Sequence, residues 1–329
     1  MTPKLVISIG DINGIGPEVI LKSLIDHDYS EFVPIVVSPF EVAGYYSDTL
    51  DIPLDINYCR HFDDISLGRI NVFWDDAFTG EIEPSKLTAA SGAVAMASIE
   101  KCIEFVKNGD AHAMVTGPIS KESVNLAGYY IPGHTEFLAE QTGVDEVLMM
   151  LVNESLRVAL VTAHVPISEV STSLSADLIN QKVQLLNHSL KFDFGIEQPK
   201  IAVLGLNPHA GEGGVIGKEE IDVIDPAIQH ARDIGIQLEG PFPADGFFGH
   251  QLFNQYDAIL AMYHDQGLAP FKLLSFGKGV NFTAGLPIIR TSPDHGTAFN
   301  IAGKNLANPS SFKQASNLAV ELVHQRYGL

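Results

Sequence analysis

The sequence predicts an α/β protein built on a mainly parallel sheet. Two observations carry this: short runs rich in Val, Ile and Leu alternate with longer amphipathic stretches, and no tandem repeat, low-complexity segment or long Pro/Ser linker breaks the rhythm. Apolar residues make up 46% of the chain and charged residues 18%, which suits a buried core and excludes a largely disordered protein.

The run LVISI at 5–9 reads as a buried strand, and GDINGIGPE behind it as a loop into a helix over 17–24, with Pro17 suited to the first helical position. FVPIVVS at 32–38 is the next strand; a long amphipathic helix over 89–107 then leads to the strand AMVT at 113–116. Strand VALVT at 158–162, helix 176–187, strand IAVLGL at 201–206 and helix 219–233 continue the alternation. Strands at 258–263 and 287–291 and a helix over 311–326 complete it. At 329 residues the chain exceeds one average domain. Its ligand-like residues cluster between His134 and His295, which implies a division inside one body: a first α/β lobe of 1–128 plus 286–329, discontinuous in sequence, and a second of 129–285.

The formal charge is −20, with Lys and Arg scattered singly, which argues against a nucleic-acid partner. Such a field also repels anionic ligands, so a phosphorylated one needs local cations; Lys272 and Arg290 are the candidates. Cys59 and Cys102 have no metal or redox spacing, and the apolar stretch at 5–9 is too short for a signal peptide. A reducing cytoplasm is the expected home, with no membrane segment.

Three apolar strands, RVALVTA, IAVLGLNP and DAILAMY, each run directly into a histidine: His164, His209 and His264. Ligands collect at the carboxyl ends of strands in open α/β sheets, so three imidazoles delivered there suit one divalent metal. Separate roles as loop caps or rim residues are the alternative. Asp265, beside His264, offers itself as a hydrogen-bond partner for that ring, an oxygen ligand or a general base, unless it caps the following turn. In GHTEFLAE, Thr135 reads as an N-cap with His134 at the helix start, where free N–H groups suit an anion. VNFTAGLPIIRTSPDHGTA brings Asn281, Arg290 and a polar loop of Asp294, His295 and Gly296 into one stretch. GDINGIGPE lacks the third glycine of a dinucleotide fingerprint, leaving a cofactor box and a tight strand-to-helix turn both open.

Taken together, GDINGIGPE, TGPISK, GHTEFLA, NPHAGEGG, PADGFF, YHDQGL and GLPIIRTSPDHGTA resemble the signature segments of the 4-hydroxythreonine-4-phosphate dehydrogenase family, in order along nearly the whole chain. The resemblance implies two α/β/α lobes of the isocitrate/isopropylmalate dehydrogenase type with the active site in the cleft, and a homodimer whose active site lies at the subunit interface. It implies a metal held by His164, His209 and His264, shared between subunits, and substrate contacts at His134, Thr135, Lys272, Asn281 and Arg290. It also implies oxidation of 4-phosphooxy-L-threonine with NAD or NADP and one divalent ion, Zn, Mg, Co or Mn, in vitamin B6 synthesis. Asp294, His295 and Gly296 are the candidates for cofactor contact, and Asp245 and Asp265 for the proton acceptor. Ile12-Asn13 stands where many relatives have Pro-Ala, which leaves the shape of the first loop open. A dehydrogenase of a related phosphorylated four-carbon sugar acid, a metal-dependent phosphohydrolase and a non-catalytic phosphometabolite-binding protein are the alternatives.

Overall fold

The computed structural model describes every residue except Met1, Asp26 and Pro132. In chain order its first part holds β1 (Lys4–Ser8), α1 (Gly16–Ser23), β2 (Val33–Val37), α2 (Phe40–Thr49), β3 (Ile56–Cys59) and β4 (Ile70–Phe73). α3 (Ala89–Asn108), β5 (Ala113–Thr116), α4 (Lys121–Leu126) and α5 (His134–Thr142) come after these. Then come β6 (Leu148–Val152), β7 (Arg157–Leu160), α6 (Ile167–Ser173), α7 (Ala176–Phe192), β8 (Lys200–Leu204) and α8 (Asp225–Asp233). β9 (Gln237–Phe242), α9 (Ala244–Gly249), β10 (Ala258–Ala261), α10 (His264–Ser275), β11 (Val280–Ala284), β12 (Ile289–Pro293) and α11 (Ser310–Tyr327) complete the chain. No helix among the described residues is long and apolar enough to cross a membrane.

Two compact units result, Met1–Asp145 with Leu286–Leu329, and Glu146–Gly285. The segment 129–145, grouped with the second lobe on the sequence, falls in the first unit together with α5. In that unit the strands run β3-β4-β2-β1-β5-β12, and every pairing is parallel. These strands read as near-continuous apolar runs because they are buried along their length: Leu5, Val6, Ile7, Val36 and Val115 are inaccessible to solvent. α3 packs on β1, β2 and β5, and α11 on β12, β5 and β1. Thr88 caps α3 by accepting from the Ser91 N–H at 3.1 Å, and Gly109, in the left-handed region, ends it.

The second unit orders its strands β11-β6-β7-β10-β8-β9. β6 runs antiparallel to both neighbours, while β7, β10, β8 and β9 are mutually parallel. Its core gathers Leu160, Leu204, Phe247, Ile259 and Phe271. α7 shows how the pattern drives the packing: Ile179, Val183, Leu186 and Leu190 fall on one stripe and are all buried, and Ser175 caps the helix through the Leu178 N–H. The helix expected over 219–233 is instead a π-turn at Glu220–Ile224 running into α8 at Asp225.

Candidate active site

The parallel order β7-β10-β8 sets three strand carboxyl ends side by side, with Leu160 opposite Ala261 and Leu260 opposite Val203. The β7 and β10 ends are laced further: Val161 N–H donates to Ala261 O, and the Thr162 hydroxyl to Met262 O at 2.7 Å. His164 and His264 leave these two ends at nearly matching offsets, and their ring centroids lie 6.0 Å apart. With metal–nitrogen bonds of about 2.1 Å, two imidazoles on one ion place their centroids about 5 to 6 Å apart, so this pair fits a divalent cation. His264 opens α10, and its Nδ1 lies 2.6 Å from Asp265 Oδ1. The carboxylate accepts the Nδ1 proton and leaves the Nε2 lone pair for a metal.

His209 is placed differently. β8 ends at Leu204, and the backbone from His209 through Gly213 is left-handed at every residue. Within the chain, the structure therefore brings together two of the three expected imidazoles; among the described residues no group of three His, Cys, Asp or Glu side chains is placed to hold a metal. His209 instead lines a cavity of about 540 Å³ with Asn207, Asp245, Tyr263 and Gln266. The buried Glu220 carboxylate anchors the loop before it, accepting from the Leu206 and Asn207 N–H groups at 2.8 Å each and from Asn207 Nδ2 at 2.9 Å. Gly211 is obligatory there: its φ is +77°, and a Cβ would lie 2.5 Å from Glu220 Oε2.

In the first unit, β5 and β12 pair in parallel with Arg290 opposite Met114. Arg290 is 2% exposed, and burial pulls its guanidinium down to about 10, still charged at neutral pH. Its Nε and Nη2 donate to the Thr116 hydroxyl at 3.1 and 2.8 Å, and Nη2 lies 3.3 Å from His134 Nδ1. His134 Nε2 is buried without a partner. Burial first, and then the Arg290 charge, holds His134 well below the usual histidine range, so the ring is neutral. α5 begins two residues earlier than the capping pattern implied: Gly133 is the N-cap, His134 the first helical residue, and Thr135 the second. Gly133 has no side chain to cap with.

The remaining candidates are distributed over both units. Lys272 is an exposed residue of α10, and Asn281 lies on β11 with its Oδ1 buried and unpartnered. In the first unit Asp294 takes a hydrogen bond from the Ser311 hydroxyl at 3.3 Å through Oδ1, and its N–H donates to Ser311 Oγ. His295 Nδ1 lies 3.1 Å from Gly296 O, which makes it the donor and leaves the buried, unpartnered Nε2 as an acceptor. That orphan suits a polar ligand group such as a nucleotide.

The first loop is a tight turn. Asp11 Oδ1 accepts the Asn13 N–H, Gly14 N–H returns to Asp11 O, and Ile15 N–H donates to Thr297 O at 2.9 Å, beside the polar 294–296 stretch. The shape left open by Ile12-Asn13 rests on that asparagine. Asn13 Nδ2 donates to Lys86 O and Thr88 Oγ1, and its Oδ1 accepts the Glu83 N–H at 2.8 Å. Sequence reasoning missed Thr116 and Glu220. Thr116 had a signal, a hydroxyl at the end of an apolar strand in TGPISK; Glu220 had none, being one acid among 40 in an amphipathic stretch.

Known proteins match the chain along nearly its whole length. Residues 34–319 match the family model described as pyridoxal phosphate biosynthetic protein PdxA. The chain is 42% identical over 325 residues to the 4-hydroxythreonine-4-phosphate dehydrogenase of Bacteroides thetaiotaomicron, covering 98% of this chain and 89% of that protein. Against the enzyme of the same name from Prosthecochloris aestuarii the identity is 44% over 328 residues, with 97% of each covered. The crystal structure of 4-hydroxythreonine-4-phosphate dehydrogenase from Klebsiella pneumoniae superposes with a TM-score of 0.88 at 35% identity, covering 98% of both chains.

Proposed function

Because the chain belongs to the PdxA family, we propose that it oxidises 4-phosphooxy-L-threonine with NAD or NADP and a divalent cation. The product, 2-amino-3-oxo-4-phosphooxybutanoate, is a β-keto acid and loses carbon dioxide to give 3-amino-2-oxopropyl phosphate. The observation that carries this reading is Arg290: a guanidinium buried on β12, held against Thr116 and His134 in a chain of net charge −20, supplies the local cation that a phosphorylated ligand needs.

When bound, the ion supplies a Lewis acid for the alcohol and carbonyl oxygens, and the dinucleotide a hydride acceptor. His164 and His264 would hold the ion, with Asp265 fixing the His264 ring. Arg290 and Lys272 bind the anionic groups, His134 and Thr135 orient the substrate, and Asn281 offers its orphaned amide oxygen to a donor. Asp245, exposed beside His209 in the cavity, is the better candidate for the proton acceptor, since Asp265 is already engaged. His295, with its orphaned Nε2, and its neighbours Asp294 and Gly296 would contact the dinucleotide.

The working unit is a homodimer that completes the metal site with His209, which does not group with the other two imidazoles inside the chain. Support comes from apolar side chains left in solvent on the second unit: Val215 is 82% exposed, Leu273 74% and Phe276 86%. Both cysteines are buried and free, as a reducing cytoplasm maintains them.

The test is purified protein with 4-phosphooxy-L-threonine, a divalent ion and each dinucleotide. Reduced nicotinamide and carbon dioxide in equal amounts, without free phosphate, are expected. Phosphate release without a dinucleotide requirement refutes the dehydrogenase in favour of a phosphohydrolase, and faster turnover of a phosphorylated four-carbon sugar acid refutes the substrate.

A further inference from the structure

Thr116 ends β5, and Arg290 projects from the neighbouring β12. The Thr116 oxygen accepts two hydrogens from one edge of the guanidinium, Nε–H at 3.1 Å and Nη2–H at 2.8 Å. Two contacts to one atom fix both the distance and the plane of the group. The other Nη2 hydrogen is thereby aimed at His134 Nδ1, 3.3 Å away.

A guanidinium has donors only, so Nδ1 must accept and carry no proton. A neutral imidazole then bears its hydrogen on Nε2. That atom is the buried one with no partner. Burial and the adjacent Arg290 charge keep the ring neutral, which excludes the form protonated on both nitrogens. An N–H held dry without an acceptor is costly in the free protein and rewards a ligand that brings one.

We propose that Thr116 is a positioning residue that orients Arg290 and, through it, holds His134 as the Nε2–H tautomer, so that this ring donates a hydrogen bond to an anionic oxygen of the substrate. The identity of the substrate rests on the dehydrogenase reading above; the tautomer does not. Phosphate and carboxylate share the chemistry required, a negatively charged oxygen that accepts.

The experiment uses the full-length protein with 15N-labelled histidine. In the free protein His134 is expected to show an unprotonated Nδ1 and a protonated Nε2. Thr116→Val keeps the β-branched shape but removes the acceptor, and is expected to mix the tautomers and to raise KM for 4-phosphooxy-L-threonine about tenfold, with a smaller change in kcat. Thr116→Ser keeps the hydroxyl and is expected to keep both the tautomer and KM. The pair separates positioning from packing, because serine loses a methyl group but retains the oxygen, whereas valine retains the volume and loses the oxygen. A wild-type His134 protonated on Nδ1 overturns the proposal, as does a valine variant unchanged in tautomer and KM.

Inorganic phosphate and phosphate-free 4-hydroxy-L-threonine are then added separately. A shift of the Nε2 signal with either one supports the donor role and tells which anionic group the ring meets. No shift with either, nor with the complete substrate, overturns it. The expected tautomer in a protein that fails to oxidise 4-phosphooxy-L-threonine sinks the dehydrogenase reading and leaves the Thr116–Arg290–His134 arrangement supported.

Discussion

Replacing Glu220 by Ala should cost the protein about 3 to 6 kcal/mol and disorganise the loop that presents His209. The figure comes from the bonds removed. Glu220 Oε1 accepts two backbone N–H groups at 2.8 Å, from Leu206 and Asn207, and Oε2 accepts Asn207 Nδ2 at 2.9 Å. A hydrogen bond to a charged acceptor contributes about 1.5 to 3 kcal/mol. The side-chain amide can turn toward water, since Asn207 is half-buried, so only the two backbone bonds are counted. That loss matters because the adjoining turn is strained. His209, Ala210 and Glu212 hold φ of 54°, 49° and 44°, and a left-handed non-glycine residue costs roughly 1 to 2 kcal/mol. The anchor and the strain are of similar size, so the turn stands only while the carboxylate is in place. Glu220→Gln keeps one acceptor but turns an NH2 toward Asn207 Nδ2, and about 1 to 2 kcal/mol should be lost. Urea denaturation measures the stability, and hydrogen exchange at Leu206 and Asn207 reports the anchor directly. A Glu220→Ala protein within about 0.5 kcal/mol of wild type, or fast exchange of those amides in the wild type, would show that the carboxylate does not anchor the loop.

Three further outcomes are expected from the same structure. His134 is neutral and buried with its pKa depressed below 6.5, so the unfolded chain binds the extra proton; stability is present above about pH 6.5 and should fall on acidification by up to about 1.4 kcal/mol per pH unit, a slope that His134→Asn removes in denaturation experiments. Asp11 has its pKa raised from 3.8 chiefly by burial, so its contribution is greatest below that value and is lost as pH rises through the folded pKa; Asp11→Asn should therefore gain stability relative to wild type between acid and neutral pH, and a relative loss would contradict the sign. Divalent ions should raise the melting temperature of the wild type in proportion to the logarithm of their concentration, and His264→Ala should abolish the rise; a variant that still responds moves the ion elsewhere.

Much of the scaffold was legible because burial on both faces writes an unbroken apolar run. β1, β2, β5 and β10 read directly for that reason, being buried throughout or nearly so. β9 did not, since its sequence QLEGPF is partly exposed and contains Gly and Pro, and β11 carries Asn281 and Thr283 inside a short VNFTA. The proximity of His164 and His264 was readable from chemistry and topology together, because adjacent parallel strands release them at nearly equal offsets. His209 sits behind an equally apolar strand, yet backbone handedness decides where its ring goes, and an apolar run says nothing of handedness. The glycines of NPHAGEGG mark that freedom without stating its sense.

Charge sets a condition on the proposed recognition: a buried cation acts where the overall field does not. At −20 the chain repels a phosphorylated acid at a distance, but beyond about 8 Å that repulsion is largely screened at physiological salt. Arg290 works inside that distance and out of water, where the same unit charge interacts several times more strongly. Its burial lowers its pKa only to about 10, so the charge survives at neutral pH. Thr116 and His134 contact the guanidinium without cancelling its charge, one accepting through oxygen and the other through Nδ1. Both acceptors hold the plane and position of the guanidinium.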